Sequence, residues 1–175
     1  MKQFLTISIL GEDSPGILHA ISELTTAHGC SIETSRMTSL QQQFGMLLLI
    51  SGDWSCLAKL EANLPALANK YKLNVDFHRT QAKENNKALL PYAVELIAAE
   101  KPGIINEITS LFSEQGINIT DLRTDTYTSV TGANMFTLSM KIYISQELQI
   151  AELREQLMLI CEEYNLDAIL EPEKI

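Results

Sequence analysis

The sequence predicts an α+β protein made of two small domains, each with the element order βαββαβ. Three observations lead to this prediction. A loop motif that contains proline and glycine occurs twice, at 13–16 and at 100–103. The same order of alternating and helical apolar patterns surrounds each copy, and a polar segment separates the two copies. Such a unit folds most simply as a four-stranded antiparallel sheet with both helices on one face, the ferredoxin-like arrangement.

The two loops define the repeat. Gly103 follows Gly16 by 87 positions, and Gly116 follows Gly29 by the same number. A proline before the first glycine of each pair suits the first turn of a helix, and the second glycine suits a helix end. Each motif therefore predicts a helix whose first N–H groups point outward, which is a ready place for a small carboxylate.

The first copy begins with alternating apolar and polar residues at 4–10, which predicts a half-buried strand. The next helix should bury one apolar face, formed by Ile17, Leu18, Ile21 and Leu24. Strands follow at about 32–38 and 44–51, with a turn at 41–43 between them. A second helix precedes the closing strand at 73–77, and Pro65 inside that helix predicts a kink or a restart.

The second copy repeats these elements with matched apolar positions. Its hairpin at about 129–133 is longer than the first hairpin, because the third strand is displaced by 92 positions instead of 87. We expect a first domain at 1–80, a polar linker at 81–88, and a second domain at 89–175 that ends in a short acidic tail.

The face of the first sheet that points away from the helices is more apolar than a face exposed to water usually is. If Met46, Leu48 and Ile50 face the helices, Leu47 and Leu49 lie on the opposite face. This pattern predicts that the sister domain or a second chain covers that face. The alternative is a few scattered exposed apolar residues, which are common on protein surfaces.

Composition excludes several classes of protein. Thirteen basic and twenty-two acidic residues give a formal charge of −9, without a basic stripe, so we expect no direct contact with nucleic acid. No apolar run approaches the roughly twenty residues that cross a bilayer, and the N-terminus lacks a signal-peptide core, so we expect a cytoplasmic protein with no membrane contact.

Catalytic and metal-binding patterns are also missing from the sequence. Cys30, Cys56 and Cys161 do not have metal-ligand spacing, and no catalytic Ser/His/Asp or Cys/His set recurs in the two copies. We therefore expect no enzyme activity, no cofactor and no metal. A cysteine nucleophile is the alternative, and it requires a thiol with a depressed pKa.

The motifs at 13–17 and 100–104 resemble the loop signature of ACT domains, which are small regulatory modules of amino-acid metabolism. In both copies the motif is followed by a helix, a glycine and a strand that contains isoleucine. Two such domains would account for the whole chain. The resemblance implies a sensor and interaction protein that forms homo-oligomers through its strands or helices.

The resemblance also implies a ligand site at an interface, between the loop after the first strand and the start of the second strand. In the second domain the site would consist of Glu100, Lys101, Gly103, Ile104, Asn118 and Ile119. The N–H groups of Gly103 and Ile104 would meet a carboxylate, and Asn118 would hydrogen-bond the ligand. In the first domain the site would consist of Asp13, Ser14, Gly16, Ile17 and Ser31, and the shorter Ser31 makes it the weaker fit.

Simpler interpretations of these residues remain open. The glycines and prolines could serve only as turn residues, and Asn118 could cap the turn after Gly116. His19 could be a solvated helix residue. Arg36 and Arg123 match across the repeat and could meet an acidic partner or form surface ion pairs.

From the resemblance we expect an amino-acid-responsive regulator that represses transcription through contact with a transcriptional activator protein. Its ligand would be a small amino acid, and glycine is the one that the family suggests. The alternative is a regulatory subunit that acts in trans on an enzyme of amino-acid metabolism.

Overall fold

The computed structural model describes residues 2–81 and 89–173. The chain divides into two compact units, Met1–Glu84 and Asn85–Ile175. Gln81 is described, but the rest of the linker predicted at 81–88 and the last two residues of the acidic tail lie outside the described residues. The domain bounds 1–80 and 89–175 therefore stay a prediction.

Both units have the predicted order βαββαβ. The elements of the first unit are β1 (Gln3–Glu12), α1 (Ile17–Ala27), β2 (Ser31–Leu40), β3 (Gln43–Gly52), α2 (Trp54–Tyr71) and β4 (Asn74–Thr80). The elements of the second unit are β5 (Leu89–Ala99), α3 (Ile104–Glu114), β6 (Asn118–Thr128), β7 (Asn134–Ser145), α4 (Ile150–Tyr164) and β8 (Leu166–Pro172).

Each unit contains one antiparallel sheet of four strands. The strand order is β2-β3-β1-β4 in the first unit and β6-β7-β5-β8 in the second. The predicted α+β class and ferredoxin-like fold are confirmed. Because β2 and β6 are edge strands, the backbone groups on their outer side have no neighbouring strand within the sheet.

The core of each unit lies between one sheet face and its two helices. In the first unit Ile7 is opposite Leu48 in the β1–β3 ladder, and both side chains are buried. Leu60 of α2 is buried in the same cluster. The second unit has an equivalent core that includes Leu96, Leu138 and Ile108. The period-2 patterns therefore identified the correct inward residues of the strands, and the helical patterns identified most of those of the helices.

Two details of the helices differ from the prediction. Leu18 is 49% exposed, and Thr25 takes a buried place on α1 with its hydroxyl donating to the carbonyl of Ile21 at 2.8 Å. The helix α2 runs without a break through Pro65, so the predicted restart is wrong. Buried leucines lie on both sides of the proline and hold α2 against the sheet, which compensates for the missing backbone donor.

The second hairpin is longer than the first, as predicted, but its connection is longer by only three residues and the rest of the difference lies in the strands. Only Gln41 and Gln42 separate β2 from β3, and Gln41 has a φ of 56°. In the second unit, residues 129–133 separate β6 from β7, and the Ser129 N–H donates to the Ala133 carbonyl at 2.8 Å.

The outer face of the first sheet carries the predicted apolar residues. Leu47 is 52% exposed, Leu10 is similarly exposed, and Leu49 is partly buried. What covers this face stays a prediction. Among the described helices, none combines the length and the apolar character needed to cross a membrane.

Candidate ligand-binding site

The first loop joins β1 to α1 and is fixed at its start. The Asp13 N–H donates to the Gln42 carbonyl at 2.9 Å, and the Ser39 hydroxyl donates to Asp13 Oδ2 at 2.8 Å. Gly16 then precedes α1 with a φ of 95°, a left-handed conformation that side-chain-bearing residues rarely adopt. The loop is therefore attached to the β2–β3 turn and enters the helix through a conformation that favours glycine.

The second loop repeats this geometry. The Glu100 N–H donates to the Asn134 carbonyl at 2.9 Å, and Gly103 has a φ of 98°. A Cβ atom added at Gly103 would meet nothing within 4 Å, whereas one added at Gly16 would meet only the Tyr71 hydroxyl at 3.8 Å. The space beside both glycines is open in each unit considered alone.

No side chain caps the start of α1 or α3. The first helical bonds are made by the Ala20 N–H to the Gly16 carbonyl and by the Glu107 N–H to the Gly103 carbonyl. The N–H groups of the preceding helical residues have no acceptor inside the helix. Together with the positive end of the helix dipole, they favour a bound carboxylate.

A pocket of about 460 Å³ lies beside the first loop. Its lining consists of Glu12, Asp13, Ser14, Pro15, Gln41 and Gln42. It therefore places two acidic side chains near the uncapped start of α1. An amino acid carries an ammonium, which the acidic side chains attract, and a carboxylate, which the N–H groups at the start of α1 attract.

Two tyrosines beside the loops were missed in the sequence analysis as site residues. The Tyr71 hydroxyl lies near Gly16, as described above, and in the second unit the Lys101 ammonium lies 4.8 Å from the centre of the Tyr164 ring. The distance and position are those of a cation–π interaction. Both tyrosines end the second helix of their unit. Tyr71 and Tyr164 occupy equivalent positions in the two units, and this repeat could have identified them from the sequence.

Tyr164 also contacts the first turn of α3. The pKa of Tyr164 is raised first by desolvation and then by the nearby negative charges of Glu107 and Glu163. Lys101 of the second loop and Glu107 of α3 therefore both lie close to Tyr164.

The structure brings together the loop residues of each predicted site but not the strand residues. Ser31 is opposite Ser51 in the β2–β3 ladder, whereas the first loop is bonded to Gln42. Ser51 lies nine positions after Gln42, which is about 30 Å along an extended chain. Asn118, followed by Ile119, is likewise opposite Tyr143, nine residues beyond Asn134. Within one unit the two parts of each predicted site lie at opposite ends of the sheet.

The remaining polar candidates have ordinary surroundings. Arg123 Nε donates to Asp125 Oδ2 at 2.8 Å in an exposed ion pair, and the Arg36 guanidinium donates to the neighbouring Ser35 carbonyl. His19 is exposed on α1. The Arg123 ion pair and the exposure of His19 agree with the simpler interpretations of these two residues, whereas the Arg36 contact is a hydrogen bond to a backbone carbonyl and not the expected ion pair.

Comparison with known proteins identifies the fold family. A family model described as "ACT domain" matches residues 3–78, and the second unit repeats the element and strand order of the first. The first unit thus matches the ACT domain, and the second unit has the same fold. A crystal structure of an unknown protein from Galdieria sulphuraria has the same fold, with a TM-score of 0.82 and 23% identity, and it covers 99% of this chain and 100% of the other.

The chain also resembles named regulators over more than the first unit. The glycine cleavage system transcriptional repressors of Escherichia coli K12 and Shigella flexneri are each 31% identical to it over 121 residues. The match covers 69% of this chain and 64% of each relative. A crystal structure provisionally named as such a repressor has a TM-score of 0.74 and 24% identity, and it covers 100% of this chain and 99% of the other.

Proposed function

We propose that this protein is an amino-acid-responsive regulator that represses transcription by contacting an activator protein. The observation that carries the proposal is the 31% identity to glycine cleavage system transcriptional repressors over 121 residues. This match is longer than either unit, so it includes residues of both. Regulation through a protein partner agrees with the formal charge of −9, which disfavours close approach to DNA phosphates.

The ligand in this proposal is a small amino acid, with glycine as the first candidate. Its carboxylate would meet the N–H groups at the start of α1 or α3, beside Gly16 or Gly103. The open space at both glycines and the absence of a side-chain cap support this placement. The acidic residues at the start of each loop, Asp13 and Glu100, would attract the ammonium.

The strand residues of the site would come from a second copy of the chain. The end of β2 lies beside the loop, because Leu40 is opposite Gln43 and Gln43 is opposite Glu12. In an antiparallel two-fold pairing of β2 with β2, the start of one strand lies beside the end of the other. Ser31 of one copy would then reach the first loop of its partner.

In the second unit Asn118 begins β6, and a β6–β6 pairing would bring it to the partner's second loop in the same way. All ten residues of β2 and ten of the eleven in β6 are exposed, so both edges are accessible in the separate units. Sheet-edge pairing provides backbone hydrogen bonds along each strand. A homo-oligomer formed in this way would complete the site that each unit leaves divided.

Regulation would follow from linkage between ligand and oligomer. A ligand that contacts both copies stabilises the paired state by no more than its difference in affinity for paired and separate chains. If the activator binds only one of these states, amino-acid concentration controls repression. Affinity capture would identify this partner.

We propose that the protein is not an enzyme and acts in the cytoplasm. The pKa values of all three thiols are raised, Cys30 and Cys161 chiefly by burial and Cys56 chiefly by its hydrogen bond to Asp53. A nucleophilic cysteine requires the opposite shift. Among the described residues, no group of three or more acidic, histidine or cysteine side chains is placed to hold a metal.

Affinity capture tests the proposal. The full chain is immobilised, incubated with extract of its source cells with and without 10-fold excesses of single amino acids, and the retained proteins are identified by mass spectrometry. Recovery of a transcriptional activator, in an amount that changes when glycine is added, supports the proposed repressor. Recovery of an enzyme of amino-acid metabolism favours the alternative, a regulatory subunit acting in trans. A gel-shift assay with promoter DNA should show no complex without the activator.

A further inference from the structure

The two halves of the chain differ strongly in charge. Residues 1–80 contain seven acidic and six basic side chains, which gives a formal charge of −1. Residues 89–175 contain fourteen acidic and five basic side chains, which gives −9. An excess of one sign attracts partners of the opposite sign and repels nucleic acid and anionic lipid. A protein that contacts the second unit should therefore present a basic surface.

The helix α4 of the second unit has exposed apolar side chains on its outer face. Met158 is 63% exposed and Leu159 is 61% exposed. Glu155 lies about one turn before them and Glu162 about one turn after them, and both are exposed. These four residues form one stripe along two turns, which we call the α4 outer face. It presents two large apolar side chains between two carboxylates.

The other sides of α4 are occupied by contacts within the second unit. The buried leucines of the helix pack in the core. The Gln115 amide donates to Gln156 Oε1 at 3.0 Å, on the side towards α3. Arg154, the only basic residue of α4, donates to the Leu170 carbonyl of β8 at 3.0 Å. The cation of the helix is therefore held against the sheet, away from the α4 outer face.

The first unit has a different surface at the equivalent place. The helix α2 matches α4 at a spacing of 93 positions, so the residues that correspond to the α4 outer face are Ala62, Pro65, Ala66 and Asn69. All four are exposed, but none is charged and none has a long apolar side chain. The same fold thus forms without an apolar and acidic stripe here, so packing within the unit does not account for the stripe on α4.

Charge decides what can cover the α4 outer face. Within the described part of the chain, neither Glu155 nor Glu162 takes part in an ion pair. If a second copy packed the same face in an antiparallel two-fold pair, Glu155 of one copy would lie towards Glu162 of the other. Like charges so placed disfavour the contact. A basic partner would instead supply a cation to each carboxylate.

We propose that the α4 outer face binds a basic amphipathic helix of a protein partner. Met158 and Leu159 pack against the apolar stripe of that helix, and the flexible methionine adapts to its shape. Glu155 and Glu162 pair with lysine or arginine beside that stripe. Two helices pack along a stripe of this kind through ridges and grooves. The inference rests on the proposed function only for the identity of the partner, the activator.

Binding of synthetic peptides to the full chain tests this inference. The probe is a peptide of about 18 residues, or five helical turns, with leucine on one face and lysine on both flanks. A second peptide has glutamate in place of every lysine, and a third has the composition of the probe in shuffled order. The probe should bind most tightly and should shift the amides of the α4 outer face in spectra of ¹⁵N-labelled protein. Equal affinity for the shuffled peptide would overturn the inference.

Two double variants decide whether the α4 outer face is responsible. Met158→Ser with Leu159→Ser should weaken binding of the probe about tenfold or more, because the apolar contact is lost. Glu155→Gln with Glu162→Gln should weaken it about fivefold at low ionic strength, the effect of two exposed ion pairs. Only this second loss should shrink as salt is added, since salt screens exposed charges.

Leu18→Ser with Glu23→Gln is the matched control. It removes the same kinds of side chain from exposed positions of α1 and should leave the affinity for the probe unchanged. All substituted residues are exposed, so every variant should unfold at the urea concentration of the wild type. Unchanged affinity in both α4 variants would overturn the inference, as would an equal loss in the control. Altered sedimentation of the α4 variants without peptide binding would also overturn it, because a second copy would then cover the face.

Affinity capture with the same variants separates this inference from the proposed function. An activator that is retained by the wild type and lost from the Met158→Ser and Leu159→Ser double variant supports both. An activator that both proteins retain equally overturns the role of the α4 outer face and leaves the proposed function standing. Probe binding that depends on α4, without recovery of any activator, supports the surface and counts against the proposed function.

Discussion

Asn118 and Gly103 lie at opposite ends of the second unit's sheet, about 30 Å apart along the strand direction. The resemblance to ACT domains places these two residues at one ligand. Both statements can hold if Asn118 of one copy meets Gly103 of another.

Gly103→Ala should reduce amino-acid binding at the second loop. The new methyl group enters the open space beside the loop, and the φ of 98° adds a destabilisation of about 1 kcal/mol. Calorimetric titration measures the loss of affinity. Gly132→Ala is a matched control, because Gly132 also has a positive φ and open space but lies in a hairpin. Equal affinity in the two variants would exclude Gly103 from the site.

Met37→Lys and Leu122→Lys together should shift the protein towards the monomer. Both residues are exposed on edge strands, Met37 at 53% and Leu122 at 41%, and like charges brought together across a strand pair disfavour pairing. Sedimentation velocity over a range of concentrations measures the shift. Leu18→Lys introduces the same charge on an exposed position of α1 and should leave the oligomer unchanged. A shift of equal size in the control would mean that the edges are not the interface.

Leu48→Ala and Leu47→Ala should differ strongly in their effect on stability. Leu48 is buried against the helices and its loss should reduce the free energy of unfolding by about 3 kcal/mol. Leu47 lies on the opposite face and its loss should cost about 0.5 kcal/mol or less in the separate unit. Urea unfolding followed by circular dichroism measures both. A large effect of Leu47→Ala at high protein concentration only would show that another surface covers that face.

The three thiols should react slowly with iodoacetamide at neutral pH. A raised pKa leaves less thiolate than in a free cysteine, so each rate should rise only as the pH approaches the alkaline range. Asp53→Asn removes the charge that holds the proton on Cys56 and should speed the alkylation of Cys56. Cys161 provides the internal control, because its pKa is raised by burial and by Asp167. A thiol that reacts faster than free cysteine at pH 7 would contradict the proposal that the protein is not an enzyme.

Much of the fold could be predicted because its information is local. The alternation of residues along β3 predicts that Leu47 and Leu48 lie on opposite faces of the sheet, as their burial shows. Gly16 and Gly103 mark the helix starts, and both adopt a positive φ there. Leu18 was placed inward wrongly because a helical repeat defines a face only to within one residue at its margin. Pro65 was over-interpreted, since propensity could not show that packed leucines hold α2 together.

The candidate site was less predictable because it depends on distances between elements. Sequence spacing placed Ser31 and Asn118 at strand starts correctly, but it could not show that these starts lie far from the loops. No local motif indicates Tyr164, which reaches Lys101 from the far end of a different helix.

Mixing two inactive variants tests the central claim most directly. Gly103→Ala and Asn118→Ala should each bind an amino acid poorly at the second unit, since every site in either homodimer contains one defect. Equal amounts exchanged into mixed dimers should recover about a quarter of the wild-type sites, because half of the dimers are mixed and each has one intact site. Calorimetric titration counts them. Recovery of a quarter supports a site shared between copies, whereas no recovery after confirmed subunit exchange would contradict it.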